Sequence, residues 1–168
     1  MTDYSTHQIQ SLALLFLFLL VFLYQMSRFL IRLKNRSLLS RNKTLKKLKH
    51  LSWDDFELLT MELFSKQGWM VQGNEKKGAD GGVDIWMSKK SWTKKNISAI
   101  VQCKRYDDAM VTIKVIREMY GLMYEYSVDE VYIVTTSRFT KECYLFSEEK
   151  KITLIDGVKL LKMIEETI

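Results

Sequence analysis

The sequence predicts an α/β domain, a mixed central sheet flanked by helices, preceded by one apolar helix of membrane-spanning length. Three observations carry that expectation. Residues Leu12 to Tyr24 run without a charged side chain. The composition changes at Leu51, from basic to nearly balanced. Beyond that point hydrophobic periodicity switches between helical and strand spacing in the order α-β-β-β-α-β-α-β-α, with no proline to interrupt it.

The apolar stretch extends from Ile9 to Ile31, 23 residues, against the roughly 20 that cross a bilayer as a helix. Gln10, Ser11, Gln25 and Ser27 sit near its ends, and Arg28 can snorkel to the headgroups. A cleaved signal peptide would need a positive n-region, yet the only charge before the run is Asp3. A helix apolar on all sides would need a larger protein to bury it. Residues 9–31 are therefore read as a retained transmembrane helix, with residues 1–8 as a short extracytoplasmic N-terminus.

Net charge is +6, unevenly spread: residues 1–50 hold nine Lys/Arg and one Asp, the remainder 17 Lys/Arg and 19 Asp/Glu. The basic residues follow the span, so the positive-inside rule puts the C-terminal part in the cytoplasm, on a single-pass inner-membrane topology. Residues 32–50 read as a basic linker. Its leucines suit a membrane surface and its charge suits DNA, and topology alone also accounts for it.

Residues 51–168 are read as one domain. Ser52 caps a helix bearing Trp53, Phe56, Leu59, Leu63 and Phe64 at helical spacing, and Gly68 is placed to end it. Trp69–Val71, Val83–Met87 and Ile97–Lys104 read as strands, joined by a glycine-bearing loop and a Lys/Ser-rich hairpin connection. Thr112 opens a helix to about Tyr126. Val131–Thr135 is a β-branched strand, Thr140–Ser147 a short helix, Ile152–Ile155 a buried strand and Val158–Ile164 a closing helix. Cys103 and Cys143 lie far apart in sequence, which suits buried free thiols better than a disulfide. His7 and His50 fall outside the expected core, which disfavours a His-based triad or zinc site.

Strand side chains alternate faces, so Gln102 and Lys104 point one way and Val101 and Cys103 the other. Asp84 lies on the preceding strand, so a carboxylate, an amide and an ammonium can meet. Hard cations such as Mg²⁺ or Mn²⁺ take oxygen ligands from one or two carboxylates and keep several waters, a role Asp84 suits. Gln102 can ligate through its carbonyl oxygen or position a water. Lys104 can orient the attacking water and offset charge on phosphoryl oxygens. Glu57, off the apolar stripe of the first helix, is the candidate second carboxylate. Asp80, in the Gly-flanked loop, suits either a ligand or a turn residue. Trp86 and Tyr106 suit base stacking or, more often, the core. Arg105, Arg138 and Lys141 suit phosphate contacts or ordinary solvated surface.

Phe56-Glu57, the run Gly78-Ala79-Asp80-Gly81-Gly82-Val83-Asp84-Ile85, and Val101-Gln102-Cys103-Lys104-Arg105-Tyr106 together resemble the catalytic domain of Mrr-type restriction endonucleases. That family lies within the PD-(D/E)XK nuclease superfamily. Thr135-Thr136-Ser137 with Phe139-Thr140, and Leu154-Ile155-Asp156-Gly157, extend the resemblance over about residues 51–164. It implies an αβββαβ nuclease core and Mg²⁺-dependent phosphodiester hydrolysis with DNA as substrate. Asp84, Glu57 and Gln102 would hold the metal, and Lys104 would be the catalytic lysine. Gln102 fills a slot where many superfamily members carry an acid, and a Gln there is similar to what Mrr-type members show. Mrr restriction proteins usually carry a recognition domain ahead of the catalytic one, where this chain has the apolar helix and basic segment. The expected activity is a membrane-anchored DNA endonuclease acting on foreign or modified DNA, with a homodimer as one way to cut both strands. A catalytically inactive DNA-binding scaffold and a repair or branched-DNA nuclease are the alternatives.

Overall fold

Strand alternation in the sequence becomes two separate apolar layers, one on each face of a five-stranded sheet. The structure is a computed structural model that describes residues 12, 14–27, 38–74, 82–90 and 96–168. The strands are β1 (Met70–Gly73), β2 (Ile85–Lys89), β3 (Ile97–Lys104), β4 (Glu130–Thr135) and β5 (Ile152–Ile155), in that spatial order. β1, β2 and β3 pair antiparallel, and β3, β4 and β5 pair parallel, giving the expected mixed sheet.

The helices are α1 (Leu45–Lys49), α2 (Trp53–Lys66), α3 (Ile113–Glu125), α4 (Lys141–Ser147) and α5 (Gly157–Thr167). One layer joins Leu48, Phe56, Leu59, Leu63, Leu160 and Ile164 from α1, α2 and α5 to Ile85, Met87, Val101, Cys103 and Val134. The other joins Ile116, Met119 and Cys143 from α3 and α4 to Ile100, Val131, Ile133 and Leu154. On β3, Val101 and Cys103 thus face α2. By alternation Gln102 and Lys104 face α3.

Ser52 caps α2 by accepting from Asp55 N at 3.0 Å, as the sequence predicts. Gly68, just past the helix, adopts φ +87°, the left-handed conformation that glycine takes without steric cost. At Gly157 the backbone approach is closer still: a Cβ there would lie 2.6 Å from the Thr136 carbonyl oxygen. The Gly157 N–H donates to the Ser137 carbonyl at 2.9 Å, which ties the start of α5 to the end of β4.

Two of the boundaries that differ from expectation bear on the site. The chain read as a linker up to residue 50 joins the domain from Leu38 onward. Leu39 and Leu48 are buried at 1% and 0% exposure, and Thr44 caps α1. Charge on the other faces of this short helix hides its apolar side from a composition reading. The second strand runs from Ile85 to Lys89 rather than from Val83 to Met87, and just ahead of it the Asp84 carboxylate takes the Cys103 N–H at 2.6 Å.

Residues 14–27 form a separate helical unit with exposed leucine, phenylalanine and valine side chains. Among the described residues no helix is long and apolar enough to cross a membrane. The remainder of the 9–31 span, at residues 9–11, 13 and 28–31, lies outside the described residues, as does Asp80 with Gly78 to Gly81.

Candidate active site

Asp84 is placed by backbone bonds on both sides. Its N–H donates to Val101 O at 2.9 Å, and its carbonyl accepts from Asn74 N at 2.9 Å. The Asn74 side-chain amide also donates to Val83 O at 3.0 Å. Asn74 therefore holds the entry to β2 in place. It carries no motif of its own, and only the pairing of β1 with β2 reveals its role.

The Asp84 carboxylate oxygen Oδ2 accepts from Cys103 N and from the Gln102 side-chain amide. Burial pushes the Asp84 carboxyl above the usual aspartate range; the Cys103 N–H, the Lys104 charge and the Gln102 amide pull the other way. Gln102 itself is 5% exposed. The structure thus brings Asp84, Gln102 and Lys104 together at the mouth of β2 and β3, with Lys104 within electrostatic reach of Asp84.

Glu57 sits on α2, on the opposite layer from Gln102. It lines a cleft of about 420 Å³ with Asp54, Leu58, Met61, Gln72, Gly73 and Asn74. Its charge is felt at the Cys103 thiol. That thiol is driven well up chiefly by burial, then by Asp84, while a bond with Thr60 opposes the shift and Glu57 adds to it. Glu57 and Asp84 therefore both approach Cys103, Glu57 from the α2 side.

Thr135 and Thr136, noted in sequence only as part of a motif, fix the backbone around Lys104. The buried Thr135 hydroxyl donates to Lys104 O at 2.7 Å and accepts from Ser137 N at 3.1 Å. Thr136 Oγ1 donates to Tyr106 O at 2.7 Å and accepts from Tyr106 N at 3.0 Å. Thr135→Val leaves a buried N–H without its acceptor and should cost about 1–3 kcal/mol. Thr135→Ser keeps the hydroxyl and should stay near wild type; equal denaturation midpoints for the two variants would refute the clamp.

Arg105 follows Lys104 and turns back to the domain. Its Nη1 donates to Lys49 O at 2.6 Å, and its guanidinium lies 5.5 Å from the centre of the Trp53 ring. Arg138 is exposed beside a cleft of about 220 Å³ that also includes Lys49, Ser137 and Gly157. Lys141 is exposed at the first turn of α4. Trp86 packs edge-on against Tyr126, with ring centres 4.9 Å apart, and Tyr106 packs against the α3 layer. Both cysteines are free and buried.

For a hard divalent cation the chemistry of the donors fits. Asp84 and Gln102 offer carboxylate and amide oxygens, and a cation would relieve the burial of the Asp84 charge. Among the described residues no three His, Cys, Asp or Glu side chains form a metal-holding group. The described donors at Asp84 and Gln102 are thus a sparse set, of the kind that leaves room for water and substrate oxygens.

This mixed sheet, with an acid, an amide and a lysine at the mouth of two antiparallel strands, defines a restriction-endonuclease-like nuclease domain. The chain belongs to the Mrr catalytic-domain family, whose profile, described as a restriction endonuclease, matches residues 48–164. No curated protein matches it significantly in sequence. Among solved structures it is similar to the DNA modification-dependent restriction endonuclease AspBHI, at a TM-score of 0.59 and 13% identity over 79% of this chain. It is also similar to MspJI restriction endonuclease in complex with a 27-mer oligonucleotide, at a TM-score of 0.48 and 17% identity over 77% of this chain. The matched parts are 35% of AspBHI and 30% of MspJI, so the chain spans about a third of each.

Proposed function

We propose that this protein is a divalent-metal-dependent DNA endonuclease, tethered to the cytoplasmic face of a membrane and directed at foreign or modified DNA. The observation that carries the catalytic part is the convergence of Asp84, Gln102 and Lys104 at one strand mouth, in a chain of the Mrr family. Mg²⁺ or Mn²⁺, when bound, supplies Lewis-acid polarisation of a phosphoryl oxygen and lowers the pKa of a ligated water. Asp84 and Gln102 would hold it through oxygen. Lys104 orients the attacking water and offsets negative charge as a new P–O bond forms and one phosphodiester P–O bond breaks, the leaving oxygen taking up a proton.

The substrate class is our reading, supported by the family and by the likeness to AspBHI, whose name makes it DNA modification-dependent. Cutting both strands calls for two sites and hence a homodimer. The tether rests on the sequence: the apolar span 9–31 and the basic residues after it. Full-length protein in mild detergent should nick or linearise plasmid DNA with Mg²⁺ or Mn²⁺ and should stop when EDTA removes the metal. Cutting that persists in EDTA would refute the metal-dependent reading. Release of the protein from membranes by alkaline extraction would refute the tether.

A further inference from the structure

A second carboxylate approaches Gln102 from a helix that the sequence does not connect with it. Gly82 adopts φ +69°, and a Cβ placed on it would lie 3.1 Å from Gln102 Oε1 and 3.2 Å from Glu118 Oε1. Two acceptor oxygens thus stand within contact distance of one point. A glycine keeps that point clear: any L side chain there would take on a strained backbone and crowd both oxygens.

Neither oxygen has a protein donor among the described residues. The Gln102 amide nitrogen is engaged with Asp84 and with Cys103 O, but Oε1 of this 5%-exposed side chain meets no donor among the described residues. Glu118 likewise has no hydrogen bond or ion pair among them. Glu118 is exposed, and two acceptor oxygens set around one cleared point suit a cation or its water ligands. Gln102 is joined to Asp84 by a hydrogen bond, and Glu118 comes from α3, whose side of the sheet Gln102 and Lys104 share.

We infer that Glu118 is the second carboxylate of the cation site, completing Asp84 and Gln102 on the α3 side; the inference rests on the nuclease reading. It supplies the negative charge that an amide at position 102 lacks. Glu57, on the α2 side, is then outside this ligand set.

The test is Mn²⁺ titration by calorimetry into the full-length protein in mild detergent, without DNA, so that binding is read apart from cleavage. Glu118→Gln should keep the wild-type circular dichroism, since the side chain is exposed, and should weaken Mn²⁺ binding by about 10-fold or more. Glu118→Asp should recover part of the loss, and Glu57→Gln should bind as wild type does. Wild-type affinity in Glu118→Gln, or a loss seen in Glu57→Gln instead, would overturn the assignment while leaving the nuclease reading intact. A wild-type protein that binds no Mn²⁺ and cuts no DNA would overturn both.

Discussion

Replacing Asp84 with asparagine is expected to abolish metal-dependent cutting, by about 10³-fold or more, while making the metal-free domain more stable at neutral pH. The two effects share one cause. Burial raises the folded-state pKa of the Asp84 carboxyl, and the Cys103 N–H, Lys104 and Gln102 offset this only in part. A carboxyl with a raised folded pKa contributes stability that is fully present below its unfolded pKa and is lost as pH rises through the folded one. At neutral pH the ionised form is therefore the costly one. Asparagine has the shape of the protonated acid without its charge, and its oxygen can still accept from Cys103 N.

Thermal melts in EDTA at pH 7 should place Asp84→Asn above wild type, and the gap should close as the pH is lowered toward the carboxylate range. Mn²⁺ should then stabilise wild type and leave the variant unmoved, because a ligand stabilises only the form that binds it. Lys104→Ala should also end cutting, and it removes a charge that favours ionised Asp84. A lower melting temperature for metal-free Asp84→Asn would mean that the carboxylate's hydrogen bonds outweigh its burial, contrary to the balance drawn here.

The part of this site that lies along one strand was legible in the sequence, and the part assembled across the fold was not. Alternation along Ile97–Lys104 was enough to put Gln102 and Lys104 on one face, and the apolar residues between them on the other. Asp84 followed from the strand before. Glu118, by contrast, lies on the polar side of α3, where its spacing reads as ordinary helix surface. Only the return of the chain through α3 into the parallel strand β4 brings it near Gly82. The two threonines at the end of β4, Thr135 and Thr136, escaped for the same reason, since their hydroxyls act on the backbone of Lys104 and Tyr106 at the end of β3 and just past it, some thirty residues earlier. Glu57 shows the opposite case: its spacing on α2 is compatible with a ligand, but the face of the sheet it approaches is a property of the packing.

Leu48→Ala should destabilise the domain by about 2–5 kcal/mol, the cost of emptying a buried leucine site, although this residue lies in what composition marks as a linker. Leu48 is fully buried in the layer formed by α2 and α5, and Leu39 lies in the same layer. A fragment starting at Leu51 loses both, along with the Lys49 carbonyl that receives Arg105. One starting at Leu38 keeps them. Urea denaturation should therefore give the shorter fragment a much lower midpoint, and equal midpoints would show that α1 only decorates the domain. The contact at Arg105 carries the effect to the site. Lys104 is the residue before it, and its backbone is held from β4 by Thr135 and, through Arg105, from α1 by Lys49. Loss of α1 should thus lower cutting even under conditions where the shorter fragment remains folded, because Lys104, which we propose acts on the phosphate, would lose one of its backbone supports.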